Sequence, residues 1–410
     1  MYRRASIRAI LGLLLAVVLT TGTAFAQDEA PESIKIGYAI SKSGPFVGGA
    51  SVTTLPNYQL WVHDVNERGG ILLSEYGVRV PIEVIEYDDR SSSEEAIQAV
   101  QRLINQDEVD FILPPWGTGM NLAVAPLLNR AGYPHLAVTS VTDRAPELAQ
   151  RWNNAFFFLG TSTQGSEALV DMLSAMRERG EVGSKVAMVA ASDEFGIELS
   201  NAARDSFGAA DFELVYDRSY PGGTQDFQSI VGEVARLEPD IFVAFSYPPE
   251  TLAITDAAMV LDFNPTVYYT AVGTAFPLFV NRFGDAAEGV MGIGGWDANS
   301  PLIQEYRDHH IDVIGAAPDR WASPNTYASL QVLEQAIERV GRIDRAAVIE
   351  EIATGTFDTV LGEVTLQDGL LTKLWWVGQW QGGEFVALAP IEREGIGEAI
   401  VPKPEWPEAE

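Results

Sequence analysis

The feature that most constrains this chain is an alternation of short apolar runs of strand length with apolar stripes at helical spacing, carried through twice. Ile34 to Ile40 is the first run, followed by a Ser/Gly/Pro loop through Gly49. Leu55, Tyr58, Trp61, Val62 and Val65 then recur at helical intervals and stop at Gly69-Gly70. Val80 to Tyr87 reads as one strand. Ser92-Ser93-Glu94-Glu95 opens a helix, because the Ser92 hydroxyl can accept the amide three residues on, and Ile97, Val100 and Ile104 supply its buried stripe. Asp110 to Leu113, a helix over 120–131 and a strand over 135–139 continue the rhythm.

After a loop at 140–163 the pattern restarts. Leu169, Met172, Leu173 and Met176 form a stripe stopped at Gly180; Val186 to Ala190 is a strand, 196–207 a helix and Phe212 to Tyr216 a strand. Phe227, Ile230, Val231, Val234 and Leu237 give another stripe, and Ile241 to Phe245 and Val267 to Thr270 are strands. Strands this uniformly apolar are buried on both faces. The expected fold class is therefore α/β, with two doubly wound parallel-sheet lobes. The rhythm breaks after helices near 301–310 and 321–340. Val364 to Leu366 and Trp375 to Trp380 alternate around Gly-containing turns and read as an antiparallel hairpin packed on one lobe.

The first 26 residues stand outside this pattern. Arg3, Arg4 and Arg8 form a basic region, Ala9 to Leu19 an apolar one, and Ala24-Phe25-Ala26 a small-x-small cleavage site. The apolar run is about half of the ~20 residues that span a bilayer. Residues 1–26 are thus read as a cleaved signal peptide. No cysteine follows, so no lipid anchor is expected. The 384 residues beyond Ala26 (410 less 26) suit two domains better than one core.

The formal charge is −30, and −33 once the three arginines of the signal leave with no acid. Nucleic acid needs Lys and Arg against its phosphates, so this balance argues against it and against an anionic membrane surface. With no cysteine in the chain, disulfides and thiolate chemistry are excluded.

The order of segments resembles the type I periplasmic binding proteins, in particular the leucine/isoleucine/valine-binding family. The residues that carry the likeness are Ile34-Lys35-Ile36-Gly37 with Ser43-Gly44-Pro45, Asp64-Val65-Asn66-Glu67-Arg68-Gly69-Gly70-Ile71, and Tyr87-Asp88-Asp89 before the Ser92 helix. Further on they are Ala145-Pro146-Glu147-Leu148, Glu194-Phe195-Gly196, Asp226-Phe227 and Glu288-Gly289-Val290. The likeness runs from about 34 to about 388. It implies a three-crossing hinge, with crossings near 146–155, 289–297 and 353–361. Lobe one would hold 34–145 and about 297–352, lobe two about 146–296 and 353–392, and 393–410 would be a Pro/Glu-rich tail. The implied function is that of the periplasmic solute-binding component of an ABC transporter. Such a protein is a monomer that closes on a small ligand by hinge motion and hands it to an inner-membrane permease, with no cofactor.

Ligands of open α/β sheets sit beyond the carboxyl ends of the strands, where helix N-termini offer free amides. Trp116-Gly117-Thr118-Gly119 occupies such a point between Leu113 and the helix from Met120. Its glycines expose amides, Thr118 adds a hydroxyl, and the helix dipole favours an anion. The resemblance places a ligand-carboxylate contact here, with Thr118 on the family's serine position. A dinucleotide fingerprint is not formed, since Leu122 stands where its third glycine would be.

The family's second carboxylate contact falls in Thr139-Ser140-Val141-Thr142-Asp143-Arg144, where Ser140 and Thr142 are both candidates. Phe195 and Tyr247 correspond to aromatic positions of the cleft in lobe two, and Phe46 and Trp116 would close its apolar side. The family's amino-acid binders hold the ligand ammonium with an acid after the strand matching Val267 to Thr270. This sequence reads Ala271-Val272-Gly273-Thr274 there, with Gly273 kept as a cleft residue. Either Asp193 or Glu194 supplies the counter-charge, or the ligand carries no ammonium.

An enzyme is the competing class. The four histidines, His63, His135, His309 and His310, lack metal-ligand spacing, and no Gly-x-Ser-x-Gly, H-E-x-x-H or Gly-Lys-Ser/Thr motif occurs. The sequence reads as a receptor. The expected ligand is a small carboxylate, a branched-chain amino acid first and an aromatic or aliphatic carboxylate or amide second.

Overall fold

The computed structural model describes residues 29–407. The signal-peptide reading of residues 1–26 lies outside them. Lobe one begins with β1 (Ile34–Ile40), α1 (Val47–Ala50), α2 (Leu55–Glu67), β2 (Ile71–Leu73), β3 (Val78–Val80) and β4 (Ile82–Asp88). It continues with α3 (Ser93–Asn105), β5 (Phe111–Leu113), α4 (Thr118–Ala131), β6 (His135–Ala137), α5 (Ala145–Arg151) and β7 (Ala155–Phe157). Strand β1 lies parallel to β4 (Ile34 opposite Ile82) and to β5 (Ile36 opposite Phe111), and β6 pairs in parallel with β7 beside β5. Pro81 divides the strand read as Val80 to Tyr87. A proline brings no N–H to a ladder, so β3 ends at Val80 and folds back antiparallel on β2, while β4 starts afresh.

The second set comprises α6 (Ser162–Glu178), β8 (Lys185–Ala191), α7 (Glu194–Ala209), β9 (Glu213–Tyr220), α8 (Gln228–Ala235), β10 (Ile241–Phe245), α9 (Pro248–Val260), β11 (Val267–Thr270), α10 (Pro277–Phe283) and β12 (Met291–Ile293). The chain then returns to lobe one as α11 (Pro301–Ile314), α12 (Ala322–Val340), α13 (Arg345–Thr354), β13 (Thr356–Thr359) and β14 (Gly362–Thr365). It ends in lobe two as β15 (Val377–Gln381) and β16 (Glu384–Ala389). The second sheet has seven strands in the order β16-β15-β12-β11-β10-β8-β9, parallel from β12 to β9 and antiparallel at the β15–β16 edge. The segment read as one terminal hairpin is two. Val364 pairs with Phe357 in β13–β14, whereas Trp380 pairs with Phe385 in β15–β16. Alternation fixes which face a strand buries; it does not name the partner.

Pairing also locates the passages between lobes. β7 stays with β6, so the first passage follows Phe157 rather than falling within 146–155. β13–β14 packs on α12, so the third follows Leu370, which bridges back to Phe157, rather than lying within 353–361. The second leaves β12 at Ile293. The Pro/Glu-rich end is held against lobe two: Lys403 N donates to Thr266 O, and the buried Trp406 donates from Nε1 to Phe263 O at 2.9 Å. Among the described residues no helix is long and apolar enough to cross a membrane.

Candidate functional site

The site starts with how α4 begins. Gly117, at φ 101°, is its N-cap and brings no side chain to cap the first turn, so the amides there have no partner within the helix. The turn is fixed from behind. Asn121 Nδ2 donates to Pro115 O and Gly117 O (both 2.9 Å), and Gly117 N donates to Thr139 Oγ1 (3.0 Å). His135 Nε2 meets Asn121 Oδ1 at 3.0 Å; since that oxygen only accepts, this nitrogen carries the proton. Burial pushes the His135 pKa down to about 4, which keeps the ring neutral. Thr118 Oγ1 accepts from Val141 N at 3.2 Å, tying the turn to the loop after β6.

Thr118 and Gly117 face a small cavity between the lobes, with Thr53, Trp116, Thr139 and Val141 beside them. Lobe two contributes Phe195, Tyr247, Val272 and Phe276, and Leu159, Trp321 and Ala322 complete the wall from the passages and α12. The lobes are closed, with α1 against α9 and α4 against α7. The enclosed space is about 20 Å³, room for a water molecule. Four aromatic rings occupy the mouth. Phe46 lies 5.4 Å from Trp116 and 5.3 Å from Tyr247, Trp116 lies 5.6 Å from Tyr247, and Phe195 lies 5.1 Å from Tyr247. Gly49 permits this packing, since a Cβ there would fall 2.0 Å from the Trp116 indole.

Thus Trp116, Gly117, Thr118, Phe195 and Tyr247 come together around one cavity, with Phe46 stacked on its rim. Gly273 is not on the wall. At φ 105°, with Pro248 Cα 2.8 Å from where its Cβ would be, it is the residue that lets β11 turn against α9; its neighbour Val272 is the one that faces the cavity. Ser140 is fully buried, does not line the cavity, and its hydroxyl has no partner among the described residues.

Thr142 is drawn elsewhere. Its hydroxyl donates to Glu198 Oε1 of α7 at 2.8 Å, and Asp143 N donates to Glu198 Oε2 at 2.8 Å, which makes a bridge between the lobes. Burial raises the Glu198 pKa against these two bonds. Glu194 is exposed and pairs with Arg144 at 3.7 Å, on the outside of the same bridge. Asp193 caps α7 through Gly196 N (3.1 Å), half-buried. Burial first, and the Asp193 carboxylate second, push the Tyr247 phenol well above its ordinary pKa.

Sequence reasoning missed Thr53, Thr139, Val141, Leu159, Val272, Phe276, Trp321 and Ala322. It also missed Glu250, which is 3% exposed, accepts from Gly223 N at 2.9 Å and, among the described residues, leaves Oε2 without a partner. Thr139 could have been found as the last residue of the strand read over 135–139, two positions past the end of β6 at Ala137.

The wall is apolar apart from the hydroxyls and free amides of lobe one and the Tyr247 phenol of lobe two, and among the described residues it holds no carboxylate. Closed, the site has room for a water molecule only; with the lobes parted it can take an anionic head at α4 and an apolar body among the rings.

Comparisons with known proteins agree with this layout. A leucine/isoleucine/valine-binding protein homologue (homologue 7) of Brucella abortus strain 2308 is 22% identical over 407 residues, 93% of this chain and 97% of that protein. Homologue 3 of Brucella melitensis is 24% identical, over 92% and 99%. The branched-chain amino acid binding protein LivJ of Streptococcus pneumoniae, solved with isoleucine, superposes with a TM-score of 0.75 at 20% identity, covering 86% of this chain and 97% of that one. A solute-binding protein of an ABC transporter from R. palustris, solved with benzoate, gives 0.75 at 20% identity over 90% and 100%. These likenesses carry the fold: two parallel-sheet lobes, three passages and a cleft between them. The family description that matches residues 33–384 is "Periplasmic binding protein", and with nearly the whole folded chain inside that match, this protein belongs to the periplasmic binding protein family.

Proposed function

We propose that this chain is the periplasmic solute-capturing component of an ABC transporter, and that it holds one small carboxylate in the interlobe cleft without chemical change. One observation carries the reading: the uncapped first turn of α4, with Thr118, opens into a cavity that is otherwise apolar and walled by rings from both lobes. The free amides and the helix dipole suit a carboxylate. The rings clasp an apolar body, and hinge motion admits it by parting Trp116 from Tyr247.

Within that class, a branched-chain amino acid is the first reading, supported by similarity to proteins named for leucine, isoleucine and valine. Its ammonium would have to reach Asp193 beside Tyr247. A second reading, an aromatic carboxylate with no ammonium, is favoured by the lack of any carboxylate on the cavity wall. The test is calorimetry on the mature chain with leucine, isoleucine, benzoate and 4-hydroxybenzoate, followed by mass spectrometry of the recovered ligand. One site per chain and an unaltered ligand are expected. A converted ligand would overturn the receptor reading.

A further inference from the structure

Trp321 lines the cleft and also a second cavity, of about 350 Å³, on the side where the chain passes between the lobes. That volume falls within the ~300–1,000 Å³ usual for small-molecule sites. Its walls are Gly295 to Asp297 of the second passage, Leu371 to Trp375 of the third, the first turn of α12 and β14. Two indoles on it, Trp296 and Trp321, are 4% and 5% exposed, and among the described residues neither Nε1–H finds an acceptor. Arg393 completes the set: its guanidinium lies 3.8 Å above the Trp375 ring, and its Nη1 is also without a partner. The charged lining is balanced, Lys373 and Arg393 against Asp297 and Glu363. An unpaired buried donor is costly, and folded chains seldom keep several of them at one place. Three such donors beside flat aromatic surface match a planar body with an oxygen acceptor.

We propose that this cavity is a second binding site, separate from the cleft, for a small planar molecule that presents a carboxylate or carbonyl oxygen to Trp296, Trp321 and Arg393. Two of the three interlobe passages form its walls, so its shape depends on lobe closure. Through Trp321, a molecule held here also fixes one wall of the cleft.

Fluorine NMR of the mature chain with 4-fluorobenzoate as probe tests this. Two bound resonances are expected. Trp296→Phe keeps a ring but removes its N–H, and Arg393→Gln removes the charge. Each should weaken one resonance's binding by about tenfold or more and leave the other unchanged. Thr118→Val should act on that other resonance alone, which keeps the cleft reading separately testable. Circular dichroism establishes that each variant is folded. The absence of any bound resonance that responds to Trp296→Phe and Arg393→Gln would mean that the hinge cavity holds water only, and would overturn the proposal; a single resonance that does respond would support it and count against the cleft reading alone.

Discussion

The ring centroids of Trp116 and Tyr247 lie 5.6 Å apart although the indole hangs from lobe one and the phenol from lobe two. Neither ring can keep that contact when the lobes swing apart, so it belongs to the closed form. An aromatic pair contributes about 0.5–1.5 kcal/mol beyond its buried area, or roughly two- to tenfold in affinity. Trp116→Ala should therefore weaken ligand binding by at least that factor in calorimetry. Small-angle scattering should show a smaller radius of gyration for the wild type with saturating ligand than without. An unchanged profile would argue against a cleft site.

Thr118→Val tests the carboxylate end. The hydroxyl now accepts from Val141 N and donates to Val141 O at 3.4 Å, a long bond that an anion arriving at the uncapped turn of α4 can take over. A hydrogen bond to a charged group contributes about 1.5–3 kcal/mol, so the affinity for a carboxylate should fall roughly ten- to a hundredfold. The affinity for the corresponding primary alcohol, with no charge to meet, should barely move.

The bridge from Thr142 to Glu198 makes a different prediction. Thr142 is buried but Glu198 is only partly so, and the contribution is discounted to about 1 kcal/mol, near fivefold. Thr142→Val should show this as faster ligand release in stopped-flow, because only the closed form contains the bond. The effect should vanish in a Glu198→Ala background. If Thr142 instead touched the ligand directly, its loss would persist there.

These tests follow the line between what the sequence discloses and what only folding reveals. Apolar periodicity was enough for two lobes, and the Ser92 cap is where its sequence places it, accepting from Glu95 N at 3.5 Å. Gly117-Thr118 was legible as a glycine-bearing turn from a strand end into a helix, whereas Phe195 and Tyr247 were marked only by the family resemblance. Thr142 and Glu198 were not: they stand 56 positions apart, and no local pattern links a loop hydroxyl to an acid on another lobe's helix. Trp321 lay inside what looked like ordinary helix, and its place on the wall comes from the return of the chain through the second passage. Glu250 carried no signal in the sequence; its burial follows from the loop carrying Gly223 folding over it.

His135 gives the pH prediction. In the folded chain its pKa is pushed down to about 4 by burial, whereas the unfolded chain takes up the proton near 6.5. Between those values the unfolded state binds more protons, so this group's contribution to stability is complete above about pH 6.5 and is lost as pH falls towards 4. The loss amounts to at most about 3 kcal/mol. His135→Gln should remove that part of the slope in denaturant unfolding followed between about pH 7 and 4. A wild-type ring that titrates near 6.5 by NMR would contradict the account.

Asp193 decides what kind of carboxylate this protein takes. The loop Ala271 to Thr274 puts Val272 on the cavity wall and no acid, and Glu194 faces outward to Arg144. Of the two acids proposed for an ammonium, only Asp193 stands beside Tyr247. Its carboxylate already accepts from Gly196 N, and a second donor can share it. If the ligand is an amino acid, Asp193→Asn keeps the shape and removes the charge, and leucine or isoleucine should bind about ten- to a hundredfold more weakly. If the ligand carries no ammonium, the same change should leave its affinity within about twofold, or tighten it slightly by removing a negative charge near the carboxylate. Calorimetry on the wild type and Asp193→Asn with isoleucine and benzoate separates the two. Tight isoleucine binding that survives both Asp193→Asn and Glu194→Gln would place the ammonium partner elsewhere, and Glu250, with its free Oε2 behind Tyr247 in α9, would be the next residue to change.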